Sequence, residues 1–221
     1  MSSTPAPAAT RPRSRRRLSP FRLLGVLVGL GLVGGGLALI VPPLWTLYQH
    51  KKVDDNALSQ WNQGGSQALV GSGATNYTGQ CGTGDPAANY ARVSFPTLSQ
   101  YGYAGVAGDG TWDELKTRSM VHYKGTAAPG QKGNDIIAFH REPEYEHIDQ
   151  LKVGDVVDVQ DRSCKTWAYR ITGRWQAYPS NVTQLTSTDG YDLTLITCTP
   201  FWVDSQRLVW RGTLITGPGA Q

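Results

Sequence analysis

The longest hydrophobic segment of the chain covers residues 21–41, and its only charged residue, Arg22, stands at the start. An α-helix rises about 1.5 Å per residue, so this segment can cross the roughly 30 Å hydrocarbon core of a bilayer. A cleavable signal peptide would have a shorter apolar core and a small-residue exit site, and Pro42 and Pro43 follow here instead. The pattern therefore predicts an uncleaved transmembrane anchor.

The residues before this anchor are strongly basic. Six arginines and no acidic residue lie within the first 22 positions. The positive-inside rule then predicts that residues 1–20 form a cytoplasmic tail and that everything after Pro42 lies outside the cell. Trp45 and Tyr48 would sit at the outer membrane interface. We expect a single-pass protein of the cell membrane.

The stretch after the anchor, residues 42–88, is polar and rich in Gly, Ser, Asn and Gln. This composition favours an extracytoplasmic stalk and approach segment, with a short helix over 54–67. His50 lies in this stalk and is not a candidate for chemistry.

From Asn89 onward, short apolar runs alternate with turn residues at close spacing. Many short strands with few helices predict a mostly β domain, either a barrel or a sandwich, over residues 89–216, followed by a tail at 217–221. We predict short helices at 111–116 and 143–151. The predicted strands cover 91–95, 120–123, 135–140, 155–160, 167–175, 192–197 and 207–215.

Composition narrows the function classes. The chain is 39% hydrophobic and 17% charged, which suits a folded protein. Its net charge of +4 includes the six N-terminal arginines, so the remainder carries −2 and has no basic signature for nucleic acid. The sequence contains no P-loop, no dinucleotide-binding glycine motif and no internal repeat.

A cysteine and an arginine stand at the ends of two predicted strands. Cys198 follows the strand 192–197, and Pro200 removes a backbone donor directly after it. Arg207 opens the next strand. A permanently charged guanidinium near a thiol can lower the thiol pKa or stabilise an oxyanion. The alternative is a buried structural cysteine with a solvated arginine nearby.

Two of the remaining histidines have ordinary explanations. His122 lies within a strand, as packed or hydrogen-bonded histidines often do, and His147 lies on a polar helix. His140 ends the strand 135–140. If that strand runs beside 192–197 in the same direction, His140 and Cys198 meet at one rim of the sheet. The imidazole could then protonate a leaving amine.

Three ordered blocks of sequence resemble the sortase family. They are MVHYKGTAAPGQKGNDIIAFHR at 120–141, LKVGD at 151–155, and LTLITCTP at 193–200 followed by an arginine-opened strand at Arg207. The resemblance covers roughly residues 93–214. It implies a closed β-barrel of about eight strands with short helices, preceded here by one N-terminal transmembrane helix.

The resemblance also implies roles. Cys198 matches the nucleophile, His140 the general acid and base, and Arg207 the residue that orients the substrate and stabilises the oxyanion. Thr197 and His122 are candidate substrate-binding residues. The implied reaction cleaves an LPxTG-like sorting signal of a secreted protein between Thr and Gly through a thioacyl intermediate. A peptidoglycan precursor or pilin amine then resolves the thioester, with hydrolysis as a side reaction and without cofactor or metal.

Two features leave alternatives open. Phe139 stands where the family usually has glycine, and a bulky ring there would either pack under the barrel or narrow the cleft. The second outcome would give a catalytically weak or silent peptide-binding barrel. Arg211 lies four residues after Arg207 on the same strand face, so it is an alternative catalytic arginine.

The resemblance bears on subclass and on the other cysteines. No second apolar span follows Arg207, which disfavours the pilus-building class, and Thr-Cys-Thr-Pro resembles class D or E, with class E preferred. If Cys198 must stay free outside the membrane, Cys81 and Cys164 are the expected disulfide pair.

Overall fold

A computed structural model describes residues 20–65, 81–181 and 183–216. The chain divides into two compact units, Met1–Trp45 and Thr46–Gln221. The predicted cytoplasmic tail and the C-terminal tail after residue 216 lie outside the described residues.

The first unit contains the N-terminal part of a long helix, α1, which covers Pro20–Gly65. Apolar side chains such as Leu24, Leu32 and Leu39 are exposed along it. Among the described residues, α1 is the one helix whose length and apolar composition would allow it to cross a membrane. The predicted anchor is therefore helical, and an exposed apolar surface suits a lipid environment.

The second part of α1 belongs to the second unit. The helix continues through Pro42 and Pro43 to Gly65, whereas the sequence predicted a stalk with a short helix over 54–67. Ala57 and Trp61 are buried in a small cluster that includes Val106, and the Trp61 Nε1 donates to Gln160 Oε1 at 2.7 Å. These contacts stabilise the helix, and the compact unit Thr46–Gln221 includes this part of it.

The described residues of the second unit form eight strands. They are β1 (Ala91–Ser94), β2 (Ala104–Gly110), β3 (Met120–Tyr123), β4 (Gly133–Phe139), β5 (Val156–Gln160), β6 (Thr166–Ala177), β7 (Tyr191–Thr199) and β8 (Gln206–Leu214).

These strands close into a barrel in the order β1-β2-β3-β4-β7-β8-β6-β5. The pairs β2–β3 and β4–β7 are parallel, and the other neighbours are antiparallel. The predicted closed β-barrel is confirmed.

The sequence did not predict β2, which reads AGVAGDG. Its glycines fit close packing, since a Cβ on Gly105 would collide with Tyr145 and one on Gly108 with Arg118. Glycine normally disfavours strands, so the local pattern concealed this one.

The short helices are single 3₁₀ turns or little more. The predicted helix at 111–116 is found at Trp112–Lys116, whereas only Ile148–Gln150 is helical in the predicted segment 143–151. Two further 3₁₀ helices cover Pro96–Tyr101 and Thr183–Leu185.

Alternating strand positions pack into two different clusters. Leu193, Leu195 and Trp210 belong to the large core cluster inside the barrel. Ile196 and Val209 instead join a second cluster that packs against Trp112, Leu115, Trp175 and Leu185 outside it. The period of two along a strand therefore assigns each side chain of β7 and β8 to the inner or outer face.

Cys81 and Cys164 form a disulfide, with their Cα atoms 5.1 Å apart. The predicted pairing is confirmed. The bridge ties the segment after α1 to the turn between β5 and β6.

Candidate active site

The parallel pairing of β4 and β7 brings two strand ends to the same rim. Their last registered pair is Ala138 with Ile196. His140 directly follows β4, and Cys198 is the second-to-last residue of β7, so each lies two residues beyond this pair at the same end of the two strands. The predicted meeting of these two residues at one rim agrees with this register.

The third predicted residue comes from the next strand. The antiparallel register of β7 and β8 pairs Cys198 directly with Arg207. Directly opposed residues have Cβ atoms about 5 Å apart and lie on the same face of a sheet. The thiol and the guanidinium therefore project to one side of the barrel.

That side is the outer face. Ala138, Ile196 and Val209 pack in the outer cluster, and His140, Cys198 and Arg207 each stand two residues from one of them. The barrel interior holds the intervening residues, which include Phe139 and Leu208.

A cleft with a volume of about 400 Å³ opens on this outer face. Its lining is mostly apolar around a few polar groups, as is usual for ligand-binding sites. The lining residues are Trp112, Leu115, Ala138, Phe139, His140, Pro179, Asn181, Gln184, Leu185, Ile196, Thr197, Cys198 and Arg207.

Cys198 carries a free, half-buried thiol. Burial raises the pKa of Cys198, and the positive charge of Arg207 opposes that effect. Asp204 and Glu142 raise the thiol pKa further. The net shift is upward, so the resting thiol is protonated at neutral pH, and forming a thiolate requires a base.

His140 is held through one ring nitrogen. Its Nε2 lies 2.6 Å from the backbone carbonyl of Leu115, which can only accept. Nε2 therefore carries a hydrogen, and Nδ1 is the ring atom available for exchanging a proton. The backbone N–H of His140 also donates to the Ser119 carbonyl at 2.8 Å.

The two candidate arginines differ in position. Arg207 lines the cleft, and its Nη1 donates to the carbonyls of Asp204 at 3.1 Å and Gln206 at 3.2 Å. Arg211 pairs with Thr194, four residues before the thiol, and its Nη2 donates to the Gln184 carbonyl at 3.2 Å. Arg211 does not line the cleft. This geometry favours Arg207.

Thr197 and Phe139 together join the ends of β4 and β7. The buried Thr197 hydroxyl donates to the Phe139 carbonyl at 2.7 Å, so its role in this structure is to hold the strand ends together.

The Phe139 ring is 2% exposed and packs against Tyr145 and Trp210 in the interior. The ring therefore lies under the barrel surface, and it does not block the cleft.

His122, the other predicted substrate-binding residue, is 2% exposed and does not line the cleft. Its Nδ1 bonds Asp109 Oδ1 at 2.9 Å, and its ring stacks on Tyr90 at 4.4 Å. A buried and fully surrounded imidazole cannot reach substrate without a rearrangement. This geometry gives no support to the substrate-binding prediction for His122 and favours a packed histidine.

His50 is the residue at this site that sequence reasoning missed. It lies in α1, and its ring stacks on the His140 ring with centroids 5.7 Å apart. One signal could have found it: His50, Asp54, Ala57 and Trp61 recur at i, i+4, i+7 and i+11, which is one face of a helix.

Among the described residues, no group of three or more His, Cys, Asp or Glu side chains is arranged to hold a metal ion.

Comparison with known proteins identifies the domain. A family model described as "Sortase domain" matches residues 95–215, which is more than half of the 221-residue chain. A search of curated proteins found no match.

Solved structures with the same fold include the sortase D5 transpeptidase of Clostridium perfringens. It is 23% identical, with 76% of this chain and 99% of that chain covered and a TM-score of 0.54. Sortase C-1 of Actinomyces oris is 26% identical, with 60% and 76% covered and a TM-score of 0.50. Sortase E of Streptomyces avermitilis is 28% identical, with 58% and 88% covered and a TM-score of 0.49.

Proposed function

The chain belongs to the sortase family, and from that membership we propose a membrane-anchored cysteine transpeptidase that cleaves an LPxTG-like sorting signal between Thr and Gly. The observation that carries the proposal is the arrangement at the barrel rim. The free thiol of Cys198 lies in an open cleft. On one side, β8 places Arg207 directly opposite Cys198, and on the other side, β4 ends just before His140.

Cys198 is the proposed nucleophile. Its proton passes to Nδ1 of His140, and the sulfur attacks the threonine carbonyl carbon to form a C–S bond. The resulting tetrahedral centre carries its negative charge on the former carbonyl oxygen. The raised pKa of Cys198 supports a mechanism in which His140 removes the thiol proton during the attack, rather than one in which the thiolate already exists in the resting enzyme.

His140 then acts as the general acid. Its Nδ1 gives the proton to the glycine nitrogen as the C–N bond breaks, which leaves a thioacyl enzyme and a free amine. In the second half, an acceptor amine attacks the thioester and His140 takes up its proton. As the C–S bond breaks, His140 passes that proton to the leaving sulfur, which restores the Cys198 thiol. Water in place of the amine gives hydrolysis.

Arg207 supplies the fixed positive charge. Its place directly opposite Cys198 supports a role in orienting the peptide and stabilising the oxyanion. The two carbonyls that its Nη1 contacts limit its motion, so it requires little reorganisation during the reaction.

The proposed setting is the outer face of the cell membrane, with the arginine-rich N-terminus in the cytoplasm and the barrel outside. The apolar part of α1 and the Cys81–Cys164 disulfide both support it, since disulfides persist in oxidising compartments. The acceptor would be the amine of a peptidoglycan precursor or a pilin. The Thr-Cys-Thr-Pro sequence supports class D or E.

The direct test uses the full chain in detergent micelles, a panel of LPxTG-like peptides with a labelled glycine exit group, and an added amine. We expect cleavage and an amine-extended product from at least one peptide. Cys198→Ala should abolish both, and His140→Ala should be nearly as damaging. Cleavage that survives in Cys198→Ala would overturn the proposal.

A further inference from the structure

Two imidazoles lie nearly parallel beside the cleft, which His140 lines. The His50 and His140 rings are inclined by only 17°, with centroids 5.7 Å apart. Each is anchored by its Nε2 to a backbone carbonyl of the same 3₁₀ helix, His140 to Leu115 at 2.6 Å and His50 to Lys116 at 2.7 Å. The two accepting carbonyls are consecutive in the chain, so one short element holds both rings.

The helix that carries His50 is itself fixed to the barrel. One turn further along, Asp54 accepts a hydrogen bond from the Ser119 N–H at 3.3 Å. Beyond it, Ala57 and Trp61 are buried at 5% and 1% exposure. The same helix face therefore contacts the barrel from His50 to Trp61, and the stacked ring is not an isolated surface contact.

His140 needs such a support. It follows the last residue of β4, and the hydrogen bond from its N–H to Ser119 holds its backbone but not its ring. The Leu115 bond holds one ring atom but permits the ring to tilt about that bond. A second ring stacked beside it opposes this tilt.

Resting on the proposed function above, we propose that His50 is a positioning residue for the catalytic imidazole. The helix that continues from the membrane anchor supplies it. Its ring holds His140 with Nδ1 available for proton transfer, while it does not itself touch the reacting atoms.

The test uses the full chain in detergent micelles labelled with ¹³Cε1-histidine. The chain has four histidines, so four signals are expected, and each is assigned by its own substitution. The variants are His50→Ala, which removes the stack and the hydrogen bond, and His50→Phe, which keeps the ring alone. His147→Ala is the matched control, because it removes a ring that packs on Tyr101 and does not line the cleft.

The His140 signal should move in His50→Ala, because the imidazole loses both the neighbouring ring and its fixed orientation, and should move less in His50→Phe. The His122 signal should stay in place in both, which reports an intact barrel. With a cleaved peptide, kcat should fall by about 10- to 100-fold in His50→Ala with little change in KM, and His50→Phe should recover most of it.

The outcomes separate the two proposals. A His140 signal in His50→Ala that moves no more than in His147→Ala overturns the positioning role, whatever the activity. A signal that moves with kcat unchanged also overturns it. If the unsubstituted chain cleaves no peptide, the transpeptidase proposal fails, whereas the His140 signal still decides whether His50 holds the ring.

Discussion

At the scale of single residues, the site depends on opposing effects on one thiol. Burial raises the pKa of Cys198, as do the carboxylates of Asp204 and Glu142, whereas Arg207 lowers it. Reactivity is therefore governed by charges that can be removed one at a time. Arg211 is not among the charges that shift the thiol pKa. A measurement of that pKa therefore distinguishes the two arginines.

Replacing Arg207 with Gln should shift the pH profile of Cys198 alkylation to higher pH. The guanidinium lowers the thiol pKa, so its removal leaves less thiolate at any given pH. The measurement is the rate of modification by a small thiosulfonate reagent between pH 6 and pH 10. Arg211→Gln is the matched control and should leave the profile in place. An equal shift in both variants would show that Arg207 has no special relation to the thiol.

Asp135 should make the folded state less stable as pH rises. Complete burial raises its pKa to about 7, with His122 opposing the shift. The folded state therefore binds a proton that the unfolded state releases at its ordinary pKa of 3.8. The free energy of unfolding should thus fall between about pH 4 and pH 7, by on the order of 4 kcal/mol.

Asp135→Asn should flatten that dependence, as measured by urea unfolding at several pH values. The control is Asp113→Asn, which removes an exposed carboxylate paired with Lys116; the pair lowers the pKa of Asp113, so this variant should leave the slope above about pH 5 unchanged. A slope that is the same in Asp135→Asn and the native chain would contradict the assignment.

At the scale of elements, strand ends were predictable and helix docking was not. Cys198 and Arg207 belong to adjacent runs with clear β patterns, so their proximity follows from a local hairpin-like connection. His140 required the parallel pairing of β4 and β7, which the order of motifs implied through a family resemblance. His50 depends on tertiary packing of a polar segment, where composition favoured a stalk and only helical spacing indicated a buried face.

The docked part of α1 should contribute strongly to stability. Trp61 is 1% exposed and donates to Gln160, so Trp61→Ala should lower the free energy of unfolding by about 3–5 kcal/mol. Urea unfolding followed by circular dichroism measures this change. Trp202, which is 60% exposed, provides the control, since Trp202→Ala should cost less than about 0.5 kcal/mol. Similar values for both would mean that the helix contributes little to the fold.

At the scale of the whole molecule, one disulfide encloses a large part of the second compact unit. The Cys81–Cys164 bridge joins residues 83 positions apart and encloses β1 to β5. A cross-link of this span restricts the unfolded chain, so the Cys81→Ser and Cys164→Ser double variant should lose about 2–4 kcal/mol of stability.

Thermal unfolding with and without reductant checks this effect. Reductant should lower the transition temperature of the native chain and leave that of the double variant unchanged. Cys198 is intact in both proteins, so it cannot account for a difference between them. A native chain that is insensitive to reductant would contradict a stabilising bridge.

The most direct measurement for the whole account is the intact mass of the full chain after acid quenching during peptide turnover. We expect an added mass equal to the peptide up to its threonine, located on Cys198 by peptide mapping and lost on treatment with hydroxylamine. Peptide turnover without any adduct on Cys198, or an adduct on another residue, would contradict the proposed thioacyl mechanism.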